Sequence, residues 1–366
     1  MKFSIAREDL LKPLQQVIGA VERRQTLAAL GNVLIRATND LLELTATDLE
    51  VELQAKQPLA VDEPGEITVP ARKLLDICKA LPEEVQIEFS LDKDRAVMRA
   101  GRSRFTLSTL PASEFPVLED TKFQQSLTVS QQVLKSLIER TAFAMANQDV
   151  RYYLNGLLLD ADKDILRAVA TDGHRLALCE HRDGLDIANP QQVIIPRKSV
   201  MELQRLLDHT DEPVTIQLGA NHIRIELQGL RFTSKLIDGR FPDFNRVLPQ
   251  DTDKTLSIDR EVLRQALSRA SILSNEKYRG IRLMLGKDAV RIQAHNPEQE
   301  EAEEELSANY QGGELEIGFN VNYLIDVLST VTGDTVEANF KDANSSTLLY
   351  DPKSPEARFV VMPMRL

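Results

Sequence analysis

The chain has 366 residues, 42% hydrophobic and 27% charged, the make-up of an ordinary folded protein of two or three domains. Forty-four Lys and Arg stand against 56 Asp and Glu, a net charge of −12, which excludes a uniformly basic nucleic-acid binder and leaves only one whose cations are gathered on one face. The only cysteines, Cys78 and Cys179, form no CxxC pair, and no apolar run approaches the roughly 18 residues needed to span a membrane, so no disulfide framework, metal site or membrane span is expected and a cytoplasmic location is.

Taken in order, the chain repeats one pattern six times. An apolar residue ends a strand and a second stands five positions on: Ile5/Leu10, Val69/Leu74, Val129/Leu134, Ile195/Val200, Ile258/Leu263 and Phe319/Leu324. Successive starts are 64, 60, 66, 63 and 61 residues apart. Position eight is apolar in five units (Ile77, Leu137, Leu203, Ala266, Val327), with Pro13 the exception. Offsets of five and eight fall on one helical face, so each unit predicts an amphipathic helix. Ser130, Asp259 and Asn320 are placed to cap three of these helices, and Pro70 and Pro196 suit an early helical position in two more. Cys78 shares an apolar face with Leu74, Ile77 and Leu81, which predicts burial.

Between the helices the period changes to two, as in Leu42–Ala46, Gln86–Ser90, Thr215–Leu218 and Val290–Ala294. Each unit reads as β-α-β-β-β, and pairs of units form a larger repeat. Ala46-Thr47-Asp48-Leu49, Ala170-Thr171-Asp172-Gly173 and Ala294-His295-Asn296-Pro297 stand 124 residues apart, and the segments from Phe105, Phe232 and Phe359 stand 127 apart. The reading is an α+β chain of three similar domains, 1–121, 122–251 and 252–366. Six wedges, each larger than the roughly 20–45 residues of a solenoid unit, predict a curved or closed arrangement.

Charge follows the repeat. The thirteen-residue windows after each first apolar residue hold 13 Lys and Arg against 9 Asp and Glu, a net of +4 in a chain of −12. Helices more basic than the body suit sequence-independent contact with phosphates; helices that carry Lys and Arg only for solubility give the same count, and both readings stay open. Glu298–Glu305 holds six Glu, either a solvated acidic run or a partner for Arg95, Arg99, Arg102 and Arg104. Arg151-Tyr152-Tyr153, beside Gln148, is either core aromatics or an exposed loop able to touch a nucleic-acid backbone.

The middle repeat alone carries Thr171-Asp172-Gly173-His174-Arg175-Leu176. Asp172 and His174 could serve as acid and base, which would make the protein an enzyme. No nucleophile elbow, oxyanion glycine loop or metal-spaced His cluster accompanies them. A peptide-binding cleft suits the hexapeptide better: Gly173 admits a backbone, while Leu154, Leu176 and Met362-Pro363-Met364 supply an adaptable apolar floor.

Several stretches together resemble one family: Gln148-Asp149-Val150-Arg151-Tyr152-Tyr153-Leu154-Asn155-Gly156, Ala170–Leu176, Ser274-Asn275-Glu276-Lys277-Tyr278-Arg279-Gly280, Asn296–Glu303 and Val361-Met362-Pro363-Met364-Arg365-Leu366. The chain resembles the bacterial sliding clamps, the beta subunits of DNA polymerase III holoenzyme, from Met1 to Leu366. That resemblance implies a head-to-tail homodimeric ring of six domains, helices inside and antiparallel sheets outside, encircling duplex DNA. It implies a processivity factor with no chemistry and no cofactor, which tethers the replicative polymerase alpha subunit, the clamp loader and other polymerases and repair proteins through short linear motifs. By the same resemblance Arg24, Arg72, Gln148, Tyr152, Tyr153, Arg197 and Lys198 are DNA-contacting positions. Leu154, Thr171, Gly173, His174, Arg175, Leu176, Pro242, Arg246, Val247, Val360, Met362, Pro363, Met364, Arg365 and Leu366 form the partner-peptide cleft. Phe105, Leu107, Ile272 and Leu273 form the dimer seam, with Arg102 and Arg104 set against Glu298, Glu301 and Glu304. Gln25 and Ala28 depart from the family's pattern, where prolines are common, beside Arg24.

Overall fold

A computed structural model of the chain describes residues 1–22, 27–118, 122–185 and 187–365. Six α-helices lie among the described residues, each starting two residues after the first apolar position of its unit: α1 (Arg7–Val17), α2 (Ala71–Ala80), α3 (Gln131–Glu139), α4 (Arg197–Leu206), α5 (Arg260–Ser271) and α6 (Val321–Thr330). All twelve paired apolar residues are buried. At position eight Leu137, Leu203, Ala266 and Val327 are buried, while Ile77 is half-buried because α2 turns Cys78 fully inward. Pro13, the exception in the pattern, is buried inside α1. Burial pushes the Cys78 thiol up to about 12 and the Cys179 thiol to about 11, which leaves both protonated and inert.

Asp259 caps α5 by accepting the Val262 N–H (2.8 Å), and Asn320 caps α6 by accepting the Asn322 N–H (3.0 Å). The prolines sit one position earlier than expected. Pro70 is the N-cap of α2, and Pro196 closes the strand Ile187–Pro196, so neither is a helical residue.

Every strand pairing among the described residues is antiparallel, and the chain divides into two compact units. The first, Met1–Gln131 with Arg205–Leu236, holds a five-stranded sheet in the order Val61–Glu63, Lys2–Ala6, Gln86–Asp92, Arg95–Ala100, Ser103–Ser108. Its eight-stranded sheet joins the first and second repeats where Val51–Pro58 pairs with Leu230–Lys235, Leu53 opposite Phe232. The second unit, Gln132–Gln204 with Ile237–Leu366, holds a nine-stranded sheet that joins the second and third repeats. There Arg175–His181 pairs with Ser354–Val361, Leu176 opposite Val360. Its four-stranded sheet runs Glu301–Ser307, Ala289–His295, Gly280–Gly286, Leu315–Asn320. The β-α-β-β-β pattern holds in all six units, with two additional three-residue strands, Val61–Glu63 and Asn309–Gln311, that are too short to carry a period of their own.

The three repeats share one joint. Arg7, the first residue of α1, donates Nε to Cys78 O (2.8 Å) near the end of α2. Arg260, the first residue of α5, donates to Gly333 O (2.9 Å) and Leu328 O (3.2 Å) at the end of α6. In the middle repeat Gln131 holds that place, its Oε1 accepting the Asp208 N–H (3.0 Å). A cation on the last carbonyls of a helix satisfies orphan acceptors and the negative end of the dipole. Arg260→Ala is therefore expected to lower unfolding free energy by about 1–3 kcal/mol, since bonds to a charged donor are lost from a half-buried site. Urea unfolding followed by circular dichroism reads this directly, and an unchanged midpoint would count against the joint.

Candidate functional site

The hexapeptide Thr171–Leu176 folds as a turn closed by its own side chains. Thr171 Oγ1 donates to Arg175 O (2.6 Å) and accepts the Gly173 N–H (3.1 Å), while Asp172 Oδ1 accepts the N–H groups of His174 (2.9 Å) and Arg175 (3.0 Å). The first copy repeats these bonds one for one. Thr47 Oγ1 donates to Val51 O (2.8 Å) and accepts the Leu49 N–H (3.0 Å), and Asp48 Oδ1 accepts from Glu50 (2.9 Å) and Val51 (2.7 Å). The third copy is a longer turn in which Asn296 Oδ1 accepts the Glu300 N–H (2.9 Å). Leu49 at φ 76° occupies the left-handed conformation that Gly173 holds at φ 89°, so the turn alone does not require glycine. A Cβ at Gly173 would in addition lie 3.0 Å from both terminal nitrogens of Arg151, so that flexible side chain would have to shift. Asp172 is occupied by the turn and by Arg175 Nε (3.2 Å), and the His174 ring stacks on Tyr323 at 6.3 Å. That arrangement builds a scaffold, not an acid–base pair.

Below the turn Leu176 and Val360 join Leu158, Val169, Leu178, Ile194, Phe241 and Phe244 in one buried cluster, with Tyr153, Ile237, Val247, Leu248 and Leu348 half-buried against it. Leu154 and Thr171 are buried beside the turn. Pro242 is exposed and lines a polar cavity of about 700 Å³ with Asp160, Arg167 and Arg240. The tail divides. Met362 donates its N–H to His174 O (2.9 Å) and stays at the cleft, whereas Met364 donates to Gly318 O (2.9 Å). Met364 and Arg365 line a separate cavity of about 510 Å³ with Tyr278, His295 and Pro297, and Pro363 between them is half-buried.

Arg175 differs most from its expected place. Its guanidinium is taken up by Asp172, Asp326 and Phe143 O (2.9 Å) and lies over the Tyr323 ring at 4.6 Å. It props the turn against α6. Arg246, by contrast, has a side chain 85% exposed beside Asp243. Phe241, Phe244 and Leu348 pack in or against the cluster under Leu176, and Tyr323 packs on His174 and Arg175, contacts the sequence reading did not name; the repeated Phe-Pro at Phe115 and Phe241 was the available signal for Phe241.

Among the expected nucleic-acid contacts, Arg24 lies outside the described residues, as does Leu366 of the cleft. Gln148 is held at φ 58°, and Val150 and Tyr152 project into solvent at 95% and 58% exposure. Tyr153 turns the other way, onto the cleft cluster, and meets Tyr152 edge-on at 5.8 Å. Arg151 links the two sides: it forks onto Asp149 (3.0 and 2.8 Å) and donates to Asp172 O (3.2 Å). The side-chain bond from Arg151 holds the Asp149 carboxyl down at about 2. A lowered acid stabilises the loop above its ordinary value of 3.8 and loses that contribution as pH falls through about 2. In Arg151→Ala the Asp149 carboxyl is expected to titrate higher, toward its ordinary value, with the backbone N–H of residue 151 still holding it down in part, read by carbon NMR of the side-chain carboxylate; an unmoved titration would remove the Arg151 side chain as the cause.

The basic windows are less free than their count suggests. Arg7 and Arg260 bind helix ends, Arg205 donates to Gln15 O and Gln16 O (3.0 and 2.7 Å), and Arg140, Arg264 and Arg269 pair with Glu356, Glu261 and Glu304. Lys12, Arg72, Lys73, Lys79 and Lys198 remain exposed, and Arg197 is half-buried with a bond to Met145 O (3.2 Å).

The expected seam residues fall at two open sheet edges. Phe105 and Leu107 lie on the edge strand Ser103–Ser108, Phe105 half-buried and Leu107 buried in its own sheet. Arg95, Arg99, Arg102 and Arg104 are exposed there, form no ion pair among the described residues, and set Arg99 directly opposite Arg104. The other edge strand is Glu301–Ser307. Glu304 already accepts Arg269 of α5 at 2.7 and 2.8 Å within its own chain. Glu303 and Glu305 pair with Arg291, which leaves Glu298, Glu300 and Glu301 without an ion pair among the described residues. Ile272, just past α5, is 74% exposed, and Leu273 is half-buried.

Three family models match the chain in succession: the N-terminal domain of the DNA polymerase III beta subunit over residues 1–119, its central domain over 128–243 and its C-terminal domain over 245–365. A beta sliding clamp of Pseudomonas putida is 55% identical, with all of both chains covered. The crystal structure of the DNA polymerase III subunit beta from Pseudomonas aeruginosa superposes with a TM-score of 0.98 at 54% identity over all of both chains, and so does a sliding clamp of that organism bound to griselimycin.

Proposed function

The chain belongs to the family of DNA polymerase III beta subunits, the beta sliding clamps, and from that premise we propose that two copies close head-to-tail into a ring around duplex DNA. The protein is a processivity factor and not an enzyme. In this reading the domains are 1–121, 122–251 and 252–366, the six helices of each copy line the hole, and the ring holds the replicative polymerase and other replication and repair proteins on DNA in the cytoplasm.

The observation that carries the ring is the pair of open edges. One presents four arginines without an ion pair among the described residues, the other Glu298, Glu300 and Glu301, and Ile272 stands bare just past α5. Arg99 stands between Glu88 on one neighbouring strand and Arg104 on the other, so at the open edge it is Arg104 that an anionic group of a second chain would relieve. A head-to-tail contact that closes after two chains gives two identical interfaces. Arg24, Arg72, Gln148, Tyr152, Arg197 and Lys198 face the duplex, and Tyr153 serves the cleft as well. Few cations are left for phosphates, so retention is topological and the contacts allow sliding.

The partner cleft is the turn Thr171–Leu176 with Leu154, Val247, Val360 and Met362, its floor the cluster under Leu176. Partners enter through short segments with apolar anchors, and Arg246, exposed and paired with Asp243, supplies a cation for orientation. The test joins mass with topology. The protein should scatter light as a dimer, stay on nicked circular DNA in high salt after loading by an ATP-driven loader, and run off once the circle is cut. Equal retention on linear DNA would sink the ring.

A further inference from the structure

One side chain at the rim of the cleft is both oxidisable and open to solvent. Of the seven methionines, Met98 and Met145 are buried in the core at 0% and 3% exposure, while Met362 is 37% and Met201 47% exposed. Met1, Met284 and Met364 are half-buried. A dissolved oxidant therefore meets Met201 and Met362 first.

The two stand in different places. Met201 lies on α4, away from the cleft. Met362 extends the antiparallel ladder by one step, its N–H bonded to His174 O (2.9 Å) after Val361 opposite Arg175 and Val360 opposite Leu176. Residues two apart on a strand share a face, so Met362 stands on the same face as Val360, whose side chain belongs to the buried cluster under Leu176. That register sets its side chain on the face of the apolar floor that a peptide anchor would cover.

We propose that Met362 is a redox-sensitive modification site, at which an oxidant of the peroxide class converts the thioether to the sulfoxide and thereby weakens the cleft for apolar anchors. The inference rests on the reading of this cleft as the partner site. In the step, the sulfur lone pair attacks one oxygen of hydrogen peroxide, the S–O bond forms, the O–O bond breaks and water leaves. Sulfur loses two electrons and peroxide gains them. The product is polar where the thioether was apolar, and an apolar anchor seated on it offers the new oxygen no hydrogen bond. A reductase of the methionine sulfoxide class reverses the change.

The test uses the full-length dimer and a fluorescein-labelled peptide carrying one Gln and three apolar residues. Graded hydrogen peroxide is applied, each methionine's oxidation is quantified by mass spectrometry, and binding is read by fluorescence polarisation. The peptide's Kd is expected to rise about tenfold or more in step with oxidation of Met362, and to return after reductase treatment. Met201→Leu should remain sensitive. Met362→Leu, whatever its starting affinity, should keep that affinity after peroxide; if it binds too weakly to measure, the correlation in the native protein decides. An unchanged Kd in protein whose Met362 is fully sulfoxide overturns the proposal, and so does a loss that tracks Met201 instead. A reduced native protein that does not bind the peptide overturns the cleft reading itself, and this inference with it.

Discussion

Ile272→Asp is expected to turn the dimer into a monomer at micromolar concentration while leaving each chain folded. Ile272 is 74% exposed in the single chain, so its side chain contributes little to the fold. Burying such a side chain against a partner contributes about 2 kcal/mol, and a dimer that closes through two identical contacts loses that twice. The sum, about 4 kcal/mol, is roughly a thousandfold in the dimer Kd before any charge effect. A carboxylate buried in the interface adds a desolvation cost to that loss. Leu273 is the weaker choice for this test, because it is half-buried in its own chain and its replacement would also cost stability. Light scattering gives the mass and far-ultraviolet circular dichroism gives the fold. A fully dimeric Ile272→Asp protein would place the seam elsewhere, and a monomer still retained on circular DNA would break the link between ring and retention.

The helices were legible because their cause is local. An apolar residue five positions after another, with a third at eight, fixes one buried face in any chain, and all six helices begin two residues after the first of them. The turn at Thr171 was legible as a repeat of Thr47 for the same reason: both closures use side chains within four residues of each other. Arg175 was not legible. Its position in the hexapeptide suggested a ligand contact, but its partner Asp326 comes from α6, far along the chain, and no local pattern announces that pairing. The ion pairs of the acidic run are equally non-local: Glu304 takes Arg269 of α5, and Glu303 and Glu305 take Arg291 of the neighbouring strand. Sheet partners across repeats, such as Leu53 with Phe232, are also non-local and cannot be read from alternation. The +4 of the helix windows shows the same limit, because a count assigns every arginine to solvent while the fold directs several to helix ends and carboxylates.

Those internal uses separate the residues whose loss should act on binding from those whose loss should act on folding. Removing Met362–Leu366 is expected to abolish peptide binding, by at least about a hundredfold, with the dimer mass unchanged. The tail leaves the sheet only after Val361, so Val360 opposite Leu176 and Val361 opposite Arg175 keep their ladder bonds in the shortened chain. What is lost is the Met362 bond to His174 O, the thioether on the face of the apolar floor, and the Met364 bond to Gly318 O. Anchors of this type, seated in a desolvated pocket, contribute about 2–4 kcal/mol each to short-peptide affinity, which sets the expected loss. Neither open edge, Ser103–Ser108 or Glu301–Ser307, contains a tail residue, so the mass should not move. Arg175→Ala makes the contrast: it strips Asp172, Asp326 and Phe143 O of a shared donor and should lower the unfolding midpoint along with binding. Fluorescence polarisation with a labelled peptide and light scattering on the same samples read both quantities. Undiminished affinity after the deletion would move the cleft away from His174, and a change of mass would show that the tail also supports the seam.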